Sequence, residues 1–342
     1  MRPMLCAISV LVLLVAGCTR KPAAEPSETP TPTAAPSPEP TPVAALTGEE
    51  LDEPIERPIL AVKIDNASAA LPPDGLEAAD IVFEEEVEGG LTRFLALFHS
   101  DDPEDIGPVR SGREVDADLL PPFQPVLAFS GAAKPVKGLL RRAGVLFFEE
   151  GEPDKETFYR VPDRRSPHNL FAHTEQLWEA GEDLAVPGEP VFTFDKATPD
   201  GGRQTAGARV VYSNFANADW TWNDKQNRWE RVQNGSPHTT AAGDTLTADN
   251  LVFMRIKSGQ GGRSDSAGNP TIELRVIGKG QATVLRDGQR FRARWTKRSA
   301  EDPLELASQR DPLALRPGTT WIQFVDQDGE LTFRRNAPEP GQ

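Results

Sequence analysis

Cysteine is scarce in this sequence, and beyond its first residues no long apolar run occurs. The two cysteines are Cys6 and Cys18, so the rest of the chain carries no thiol. Thiol catalysis, thiolate zinc sites and disulfide bridges are therefore excluded for the folded part, whose core must be held by burial alone. After Cys18, no segment approaches the roughly 18 consecutive apolar residues that a membrane-spanning helix needs.

Basic residues are outnumbered by acidic ones. The chain has 37 Lys and Arg against 52 Asp and Glu, a formal net charge of −15. This balance argues against nucleic acid as a partner, because phosphate binding needs a basic face. The four histidines lack the HExxH spacing of a zinc site, and P-loop, GxSxG and EF-hand patterns are absent. We expect neither a metal nor a cofactor.

The first 18 residues have the features of a bacterial lipoprotein signal. Arg2 precedes an apolar segment at residues 5–15, and small residues follow before Cys18. The string Val15-Ala16-Gly17-Cys18 matches a lipobox. The sequence thus predicts a signal peptide at residues 1–17, lipid on Cys18, and an extracytoplasmic protein held to the cell membrane by that lipid. The alternative is an ordinary secretory signal with an incidental cysteine.

Composition divides the remaining chain into four parts. Residues 22–46 consist mostly of Pro, Ala, Ser and Thr and cannot bury enough apolar surface to fold, which predicts a disordered stalk at residues 18–58. Strand-like and helical segments alternate from Ile59, which predicts a mixed α/β layer domain at residues 59–187. Helical periodicity nearly disappears after Pro187, which predicts a mainly β domain at residues 188–336 and a tail at 337–342. The predicted fold class is α/β, of the α+β type.

Turn and periodicity signals locate individual elements. Helices are predicted at residues 76–80, 113–120, 135–144 and 174–184. Asp287-Gly288 and Asp328-Gly329 lie between alternating apolar residues and predict two hairpin turns. Trp220, Trp222 and Trp229 belong to another predicted hairpin, where they pack in the core or, alternatively, form a stacking platform for sugar rings.

Ionisable residues concentrate in the first domain. In an extended strand Glu84, Glu86 and Glu88 share one face and Glu85 takes the other. Such a face is either solvated, the interpretation that we favour, or opposed by cations. The nearest cations along the chain are Arg93, Arg110 and Arg113, and we expect them to converge on this strand.

Two polar segments could carry chemistry. Arg110-Ser111-Gly112-Arg113, at a predicted strand-to-helix turn, could bind an anion through backbone N–H groups, a hydroxyl and two guanidinium groups. The alternative is that its arginines pair with the glutamate strand. The segment at residues 164–170 contains His168, which could act as a general acid or base or simply hydrogen-bond a loop carbonyl.

Several long strings occur together: VKIDN, ADIVFEEEVEGGLTRFLALF, IGPVRSGR, RSPHNLF and PGTTWI. They resemble the DUF3048 family, also called the YerB-like lipoproteins, over about residues 58–335. The resemblance implies a lipobox, a stalk and two domains, but no established activity. The positions that match the family's polar motifs are Asp65, Asn66, Glu85, Glu88, Arg93, Arg110, Ser111, Arg113, His168 and Asn169.

Three hypotheses follow. The first is a non-enzymatic lipoprotein that binds an anionic cell-wall fragment or small molecule through Arg93, Arg110 and Arg113, with Asn66, Glu88, Ser111 and Asn169 in the same site. The second is a cell-wall hydrolase or transferase with Asp65 or Glu85 as base and His168 as acid. The third treats these charges as an internal ion-pair network. The sequence leaves open whether any reaction is catalysed.

Overall fold

Strands dominate residues 41–264 and 268–335, the part of the chain that the computed structural model describes. In chain order they are β1 (Leu60–Asp65), β2 (Ile81–Val87), β3 (Leu91–Phe98), β4 (Asp105–Ile106), β5 (Val126–Phe129), β6 (Leu146–Glu149), β7 (Phe158–Arg160), β8 (Leu170–His173), β9 (Arg203–Gln204), β10 (Gly207–Val211), β11 (Asn217–Asn223), β12 (Arg228–Gln233), β13 (Ser236–Pro237), β14 (Thr247–Ala248), β15 (Asn250–Ser264), β16 (Pro270–Arg275), β17 (Gly278–Arg286), β18 (Gln289–Lys297), β19 (Glu305–Ser308), β20 (Asp311–Pro312), β21 (Thr320–Asp326) and β22 (Glu330–Arg334). The predicted α+β class is confirmed.

The helices are short. They are α1 (Asp116–Leu119), α2 (Lys134–Arg142) and α3 (Thr174–Glu179), with 3₁₀ turns at Ser68–Ala70, Leu76–Ala78, Glu88–Gly90 and Pro121–Phe123. The helix predicted over residues 113–120 is helical only in its second half, because the Asp116 carboxylate accepts the Arg113 backbone N–H at 2.7 Å and holds residue 113 outside the helix. In the described residues, no helix is long and apolar enough to cross a membrane.

One large sheet contains strands from both halves of the sequence. Its order is β20-β19-β18-β17-β15-β21-β2-β3-β1-β5-β6, with β16 beside β15 and β9 beside β18. Strand β21, from near the C-terminus, lies between β2 and β15 and is parallel to both. Strands from both sides of the predicted domain boundary at residues 187 and 188 therefore share a sheet. That boundary stays a prediction, which limited proteolysis tests.

Each face of the large sheet is covered by a different layer. The helix face packs against α1 and α2, where Phe83 meets the same core as Leu140. The sheet face packs against α3 and a six-stranded sheet of order β13-β12-β11-β10-β22 with β14 beside β12, and Phe94 and Trp220 lie there. A third sheet, β4-β8-β7, carries the loop that contains His168. Alternation along each strand decides which layer a side chain enters.

The end of the predicted stalk differs from the structure. Leu46 is completely buried, and the N–H groups of Val191 and Gly318 donate to the carbonyls of Ala45 and Thr47 at 2.9 Å each. The composition of residues 22–46 predicts disorder to the end of that segment, but its last residues are buried, so residues 44–47 belong to the folded body. The signal peptide, Cys18 and the stalk up to residue 40 lie outside the described residues.

The two Asp-Gly turns have different outcomes. Asp287 and Gly288 have φ values of 52° and 68° and join the antiparallel pair β17 and β18, as predicted. Asp328-Gly329 joins β21 to β22, but these strands belong to different sheets, so the predicted hairpin is wrong. Because β2 and β15 occupy both edges of β21, no edge is left for β22, which pairs with β10 instead.

The tryptophans of the β11–β12 hairpin are mainly core residues. Trp220 and Trp229 are completely buried in the layer between the sheets. Trp222 is half-buried and donates to Asp224 at 2.6 Å. The structure thus favours the core-packing interpretation over a stacking platform.

Candidate functional site

Polar side chains of three neighbouring strands lie in one row on the helix face. In the strand register, Asp65 of β1 is opposite Arg93 of β3, and Arg93 is opposite Glu85 of β2. Lys63 lies two residues before Asp65 and therefore shares this face. Each of these side chains is buried: Lys63 and Glu85 completely, Asp65 and Arg93 nearly so.

The deepest part of the row is an ion-pair cluster. Lys63 Nζ contacts a carboxylate oxygen of Glu85 and lies 2.7 Å from Oδ1 of Asp116, the first residue of α1. Burial, followed by the nearby Asp116 carboxylate, raises the pKa of Glu85 against the opposing effect of Lys63. A carboxylate that has no access to solvent and binds a buried ammonium group acts as structural support. In this arrangement Glu85, a candidate base, cannot contact a substrate.

A loop at residues 107–112 holds Arg110 over the end of β1. The Arg110 N–H donates to the Lys63 carbonyl at 2.8 Å, and the Asp65 N–H donates to the Pro108 carbonyl at 2.9 Å. This places Arg110 Nε 2.9 Å from Asp65 Oδ2. The backbone N–H groups of residues 110, 112 and 113 all have protein acceptors. Three of the four backbone N–H groups of this segment are therefore already used, and its side chains supply most of what it can offer an anion.

Glu84 and Glu85 lie on opposite faces, as strand alternation predicts, but Glu88 does not share the face of Glu84. Strand β2 ends at Val87, and Glu88 begins a 3₁₀ turn in which Gly89 and Gly90 have φ values of 77° and 70°. This turn moves Glu88 away from the face of Glu84 and brings it to Arg113, whose Nε lies 3.1 Å from Glu88 Oε2. The solvated-face interpretation is also wrong for Glu84 and Glu88, because both are buried and paired with arginines.

Glu84 lies on the sheet face, where it joins the two halves of the chain. Its carboxylate accepts hydrogen bonds from Arg231 of β12 at 2.9 Å and from Gln323 of β21 at 2.7 Å. Thr92 donates to the same carboxylate at 3.0 Å, and Asn66 donates to Thr92 at 2.7 Å. This fully buried network is structural, and it removes Asn66 from the candidate ligand-binding set.

A cavity of about 490 Å³ opens beside the polar row. Three arginines line it, Arg93, Arg110 and Arg113, and we call it the arginine cavity. Glu88, Ser111, Glu114, Ala133, Val136 and Pro167 also line it, and the β15–β16 hairpin contributes Arg263, Ser264, Thr271 and Ile272. Arg263 forms an ion pair with Glu114 across the cavity mouth. The cavity is therefore built by both halves of the sequence.

Arg93 is the cation of this cavity that has no carboxylate partner. Arg110 pairs with Asp65, Arg113 with Glu88 and Arg263 with Glu114. Within the described residues no carboxylate oxygen lies within 4.0 Å of the Arg93 guanidinium, and its hydrogen bond to the Ser111 carbonyl is long, at 3.4 Å. Burial and repulsion from Arg113 and Arg110 lower the pKa of Arg93 to about 10.

His168 lies next to the cavity but does not line it. Its Nδ1 is 2.7 Å from Asp65 Oδ2, the oxygen that Arg110 also contacts. The imidazole side chain is 21% exposed, so part of the ring meets solvent. Because Asp65 is within hydrogen-bond distance of the imidazole itself, Asp65 and His168 cannot serve as an independent base and acid. Asp65 instead orients His168, and a catalytic site here would use the imidazole alone.

The structure brings most of the predicted site residues together. Glu88, Arg93, Arg110, Ser111 and Arg113 line the cavity, Asp65 and His168 adjoin it, and Glu85 lies beneath. Asn169 does not take part, since it binds Arg160 at 2.7 Å beyond the cavity lining. Sequence reasoning missed Glu114, Arg263, Thr271 and Ile272, for which no local signal exists. In the described part of the chain, no group of three or more His, Cys, Asp or Glu could hold a metal ion.

Comparison with known proteins agrees with the sequence resemblance. The family profile described as "Protein of unknown function (DUF3048) N-terminal domain" matches residues 46–186, and its C-terminal counterpart matches residues 208–322. YerB of Bacillus subtilis (strain 168), whose name assigns it provisionally to the lipoproteins, is 27% identical over 332 residues, 94% of this chain and 94% of YerB. The crystal structure of Bacillus subtilis YerB superposes with a TM-score of 0.74 at 25% identity, covering 85% of this chain and 99% of that chain.

Proposed function

Because this chain belongs to the DUF3048 family and carries a lipobox that ends in Cys18, we propose that it is an extracytoplasmic lipoprotein that binds a small anionic ligand. The ligand site is the arginine cavity. The ligand carries a phosphate or carboxylate group, as a cell-wall fragment or a small envelope metabolite does. The two-domain family match supports the assignment of the whole folded part, and the lipoprotein name of YerB supports the anchor.

The unpartnered guanidinium of Arg93 is the observation that carries this proposal. A buried charge without a partner costs free energy, so a protein normally pairs it or leaves it exposed. No carboxylate oxygen of the described residues lies within 4.0 Å of the Arg93 guanidinium, and repulsion from Arg113 and Arg110 exceeds the attraction of the more distant Asp65 and Glu88 carboxylates. A ligand anion supplies the missing charge, and a guanidinium group can hold a phosphate or carboxylate through two parallel hydrogen bonds.

The second candidate is hydrolysis or group transfer by His168. Its support is the Asp65 carboxylate, which holds Nδ1 and leaves Nε2 able to accept a proton. The binding hypothesis is favoured because Asp65, Glu85 and His168 are all missing from the described residues that line the cavity, whereas the three arginines face it.

Calorimetric titration with purified peptidoglycan fragments, followed by mass spectrometry of the fragments, tests the ligand proposal. We expect saturable binding with no change in fragment mass. Arg93→Gln should weaken binding roughly 10- to 100-fold, the loss of one charged hydrogen-bonding group. Arg142→Gln, an exposed arginine of α2, is the control and should bind normally. Fragments that change mass, with turnover abolished by His168→Asn, would support the enzyme instead.

A separate experiment tests the anchor. Cys18→Ala should release the protein from membranes after a carbonate wash, because the lipid is the attachment. Cys6→Ala removes the other cysteine and should leave the protein membrane-bound. Retention of Cys18→Ala in the membrane fraction would contradict the lipoprotein assignment without affecting the ligand proposal.

A further inference from the structure

A second basic surface lies on the C-terminal half, on the sheet face of the large sheet. Arg290, Arg292 and Arg294 alternate along β18 with Phe291 and Ala293, which point into the core of the helix face. Strand β9 adds Arg203, directly opposite Arg290 in the register. These four arginines line a groove of about 560 Å³, which we call the basic groove, and Asp200 is the one carboxylate among the described residues that line it.

The basic groove lies where the six-stranded sheet stops covering the large sheet. Elsewhere the six-stranded sheet covers this face, and Phe333 of its edge strand β22 packs with the same core as Leu285. Arg290 lies over the Phe333 ring, 4.9 Å from its centroid. Beyond β22 the face is open, so Arg292 and Arg294 are exposed. The turn after β19, with Ser308 and Gln309, closes the other side.

The charges of the groove are unbalanced in a protein that is otherwise strongly acidic. The whole chain has a net charge of −15. Among the described residues, no carboxylate lies within 4.0 Å of the guanidinium nitrogens of these four arginines. Like charges directly opposite each other on neighbouring strands, as Arg203 and Arg290 are, destabilise a sheet. An arrangement that costs stability and has no internal partner is suited to an external anion.

The geometry points to a linear phosphodiester polymer as the occupant, and we propose that the basic groove binds one. Residues two apart on a strand lie about 6.7 Å apart, so Arg290, Arg292 and Arg294 offer guanidinium groups at regular intervals to successive phosphates of an extended chain. The groove offers more donors than acceptors, since its four arginines have no acceptor atom and only a few lining side chains, such as Asp200 and Gln309, can accept. A phosphodiester backbone has only acceptors, and each can be satisfied.

An acidic peptide fits this surface less well. A peptide lying across a sheet face would leave its backbone N–H groups facing guanidinium groups that cannot accept them. A flat membrane surface also fits poorly, because the arginines line a recess between β22 and the turn after β19. The basic groove is separate from the arginine cavity, and its occupant does not depend on the function proposed for that cavity.

The test is a binding titration of the full-length chain in neutral detergent with a fluorescent poly(glycerol phosphate) oligomer. Each phosphate contact contributes about 0.7 to the slope of log affinity against log salt for a single-stranded polyanion, so four arginines give a slope of about −2.8. Arg292→Ala/Arg294→Ala should roughly halve this slope, to about −1.4. The control Arg141→Ala/Arg142→Ala removes the same charge from the exposed end of α2 and should leave the slope unchanged.

Two further probes identify the chemistry of the occupant. Poly-glutamate of equal charge should bind more weakly than poly(glycerol phosphate). Single-stranded DNA should also bind more weakly, because Arg290 already covers the Phe333 ring on which a base could stack. Equal or tighter binding of poly-glutamate would overturn the phosphodiester proposal in favour of an acidic peptide. Tighter binding of DNA would assign the groove to nucleic acid. No binding at low salt, or equal slopes for both double variants, would exclude the groove as a polyanion site.

Discussion

Replacing Arg93 by methionine should leave the ligand-free protein as stable as before or make it more stable. Burial and its arginine neighbours lower the pKa of Arg93 from 12.5 to about 10, which corresponds to roughly 3 kcal/mol of unfavourable free energy for the charged form in the folded state. Methionine keeps the apolar stem and removes the charge. The one hydrogen bond that is lost is long, at 3.4 Å. We therefore expect the free energy of unfolding to change by between about 0 and +3 kcal/mol.

Arg113→Met is the matched comparison. Its removal leaves the Glu88 side chain, which is 5% exposed, without its cation. A stranded and nearly buried carboxylate should cost about 1–3 kcal/mol. The two variants remove the same charge from the same cavity, but the signs of their effects on stability should differ.

Urea denaturation at pH 7, followed by the fluorescence of the buried tryptophans, measures both variants. The wild type should gain stability as a bound ligand is added, by RT ln(1 + [L]/Kd), and Arg93→Met should lose that gain. The reasoning is refuted if Arg93→Met destabilises the ligand-free protein as much as Arg113→Met does. That result would mean that Arg93 stabilises the fold and that its charge is not held for binding a ligand.

Three further predictions concern stability. Arg231→Met should cost about 3–5 kcal/mol in urea denaturation because it leaves the completely buried Glu84 without its cation. Arg275→Met, from the exposed pair with Glu273, should cost under about 1 kcal/mol, and equal losses would contradict this reasoning. A chain that begins at Glu53 lacks the buried Leu46, so its free energy of unfolding should be about 2 kcal/mol or more lower than that of a chain that begins at Thr41. Identical melting curves would refute the packing role of residues 44–47. Burial raises the pKa of Asp80 to about 6, so the folded state binds this proton more tightly, and Asp80 lowers stability as pH rises from 4 through 6. Asp80→Asn should therefore raise the free energy of unfolding by roughly 3 kcal/mol at pH 7 and change it little at pH 4, which urea denaturation at both pH values measures.

Local patterns in the sequence were sufficient for the α+β class, the Asp287-Gly288 hairpin and the pairing of Arg113 with Glu88, whereas Arg110 pairs with Asp65 of β1. Each depends on interactions between near neighbours in the chain or on charges that must find a partner. Alternation failed at Glu88, where a Gly-Gly turn ends the strand one residue earlier. The hairpin prediction failed at Asp328-Gly329, because two strands joined by a turn can pair only if an edge of each strand is free.

Only the tertiary structure determined which charged side chains pair with each other. Alternation separates Glu84 and Glu85 onto opposite faces, but the layer that covers each face sets their burial, and no local signal identifies Arg231 and Lys63 as their partners. The β15–β16 hairpin reaches the arginine cavity across a gap of about 150 residues in sequence, and such long-range contacts leave no periodicity to read. Residue chemistry therefore located the site, while sheet topology determined which of its charges are paired and which one faces the cavity without a partner.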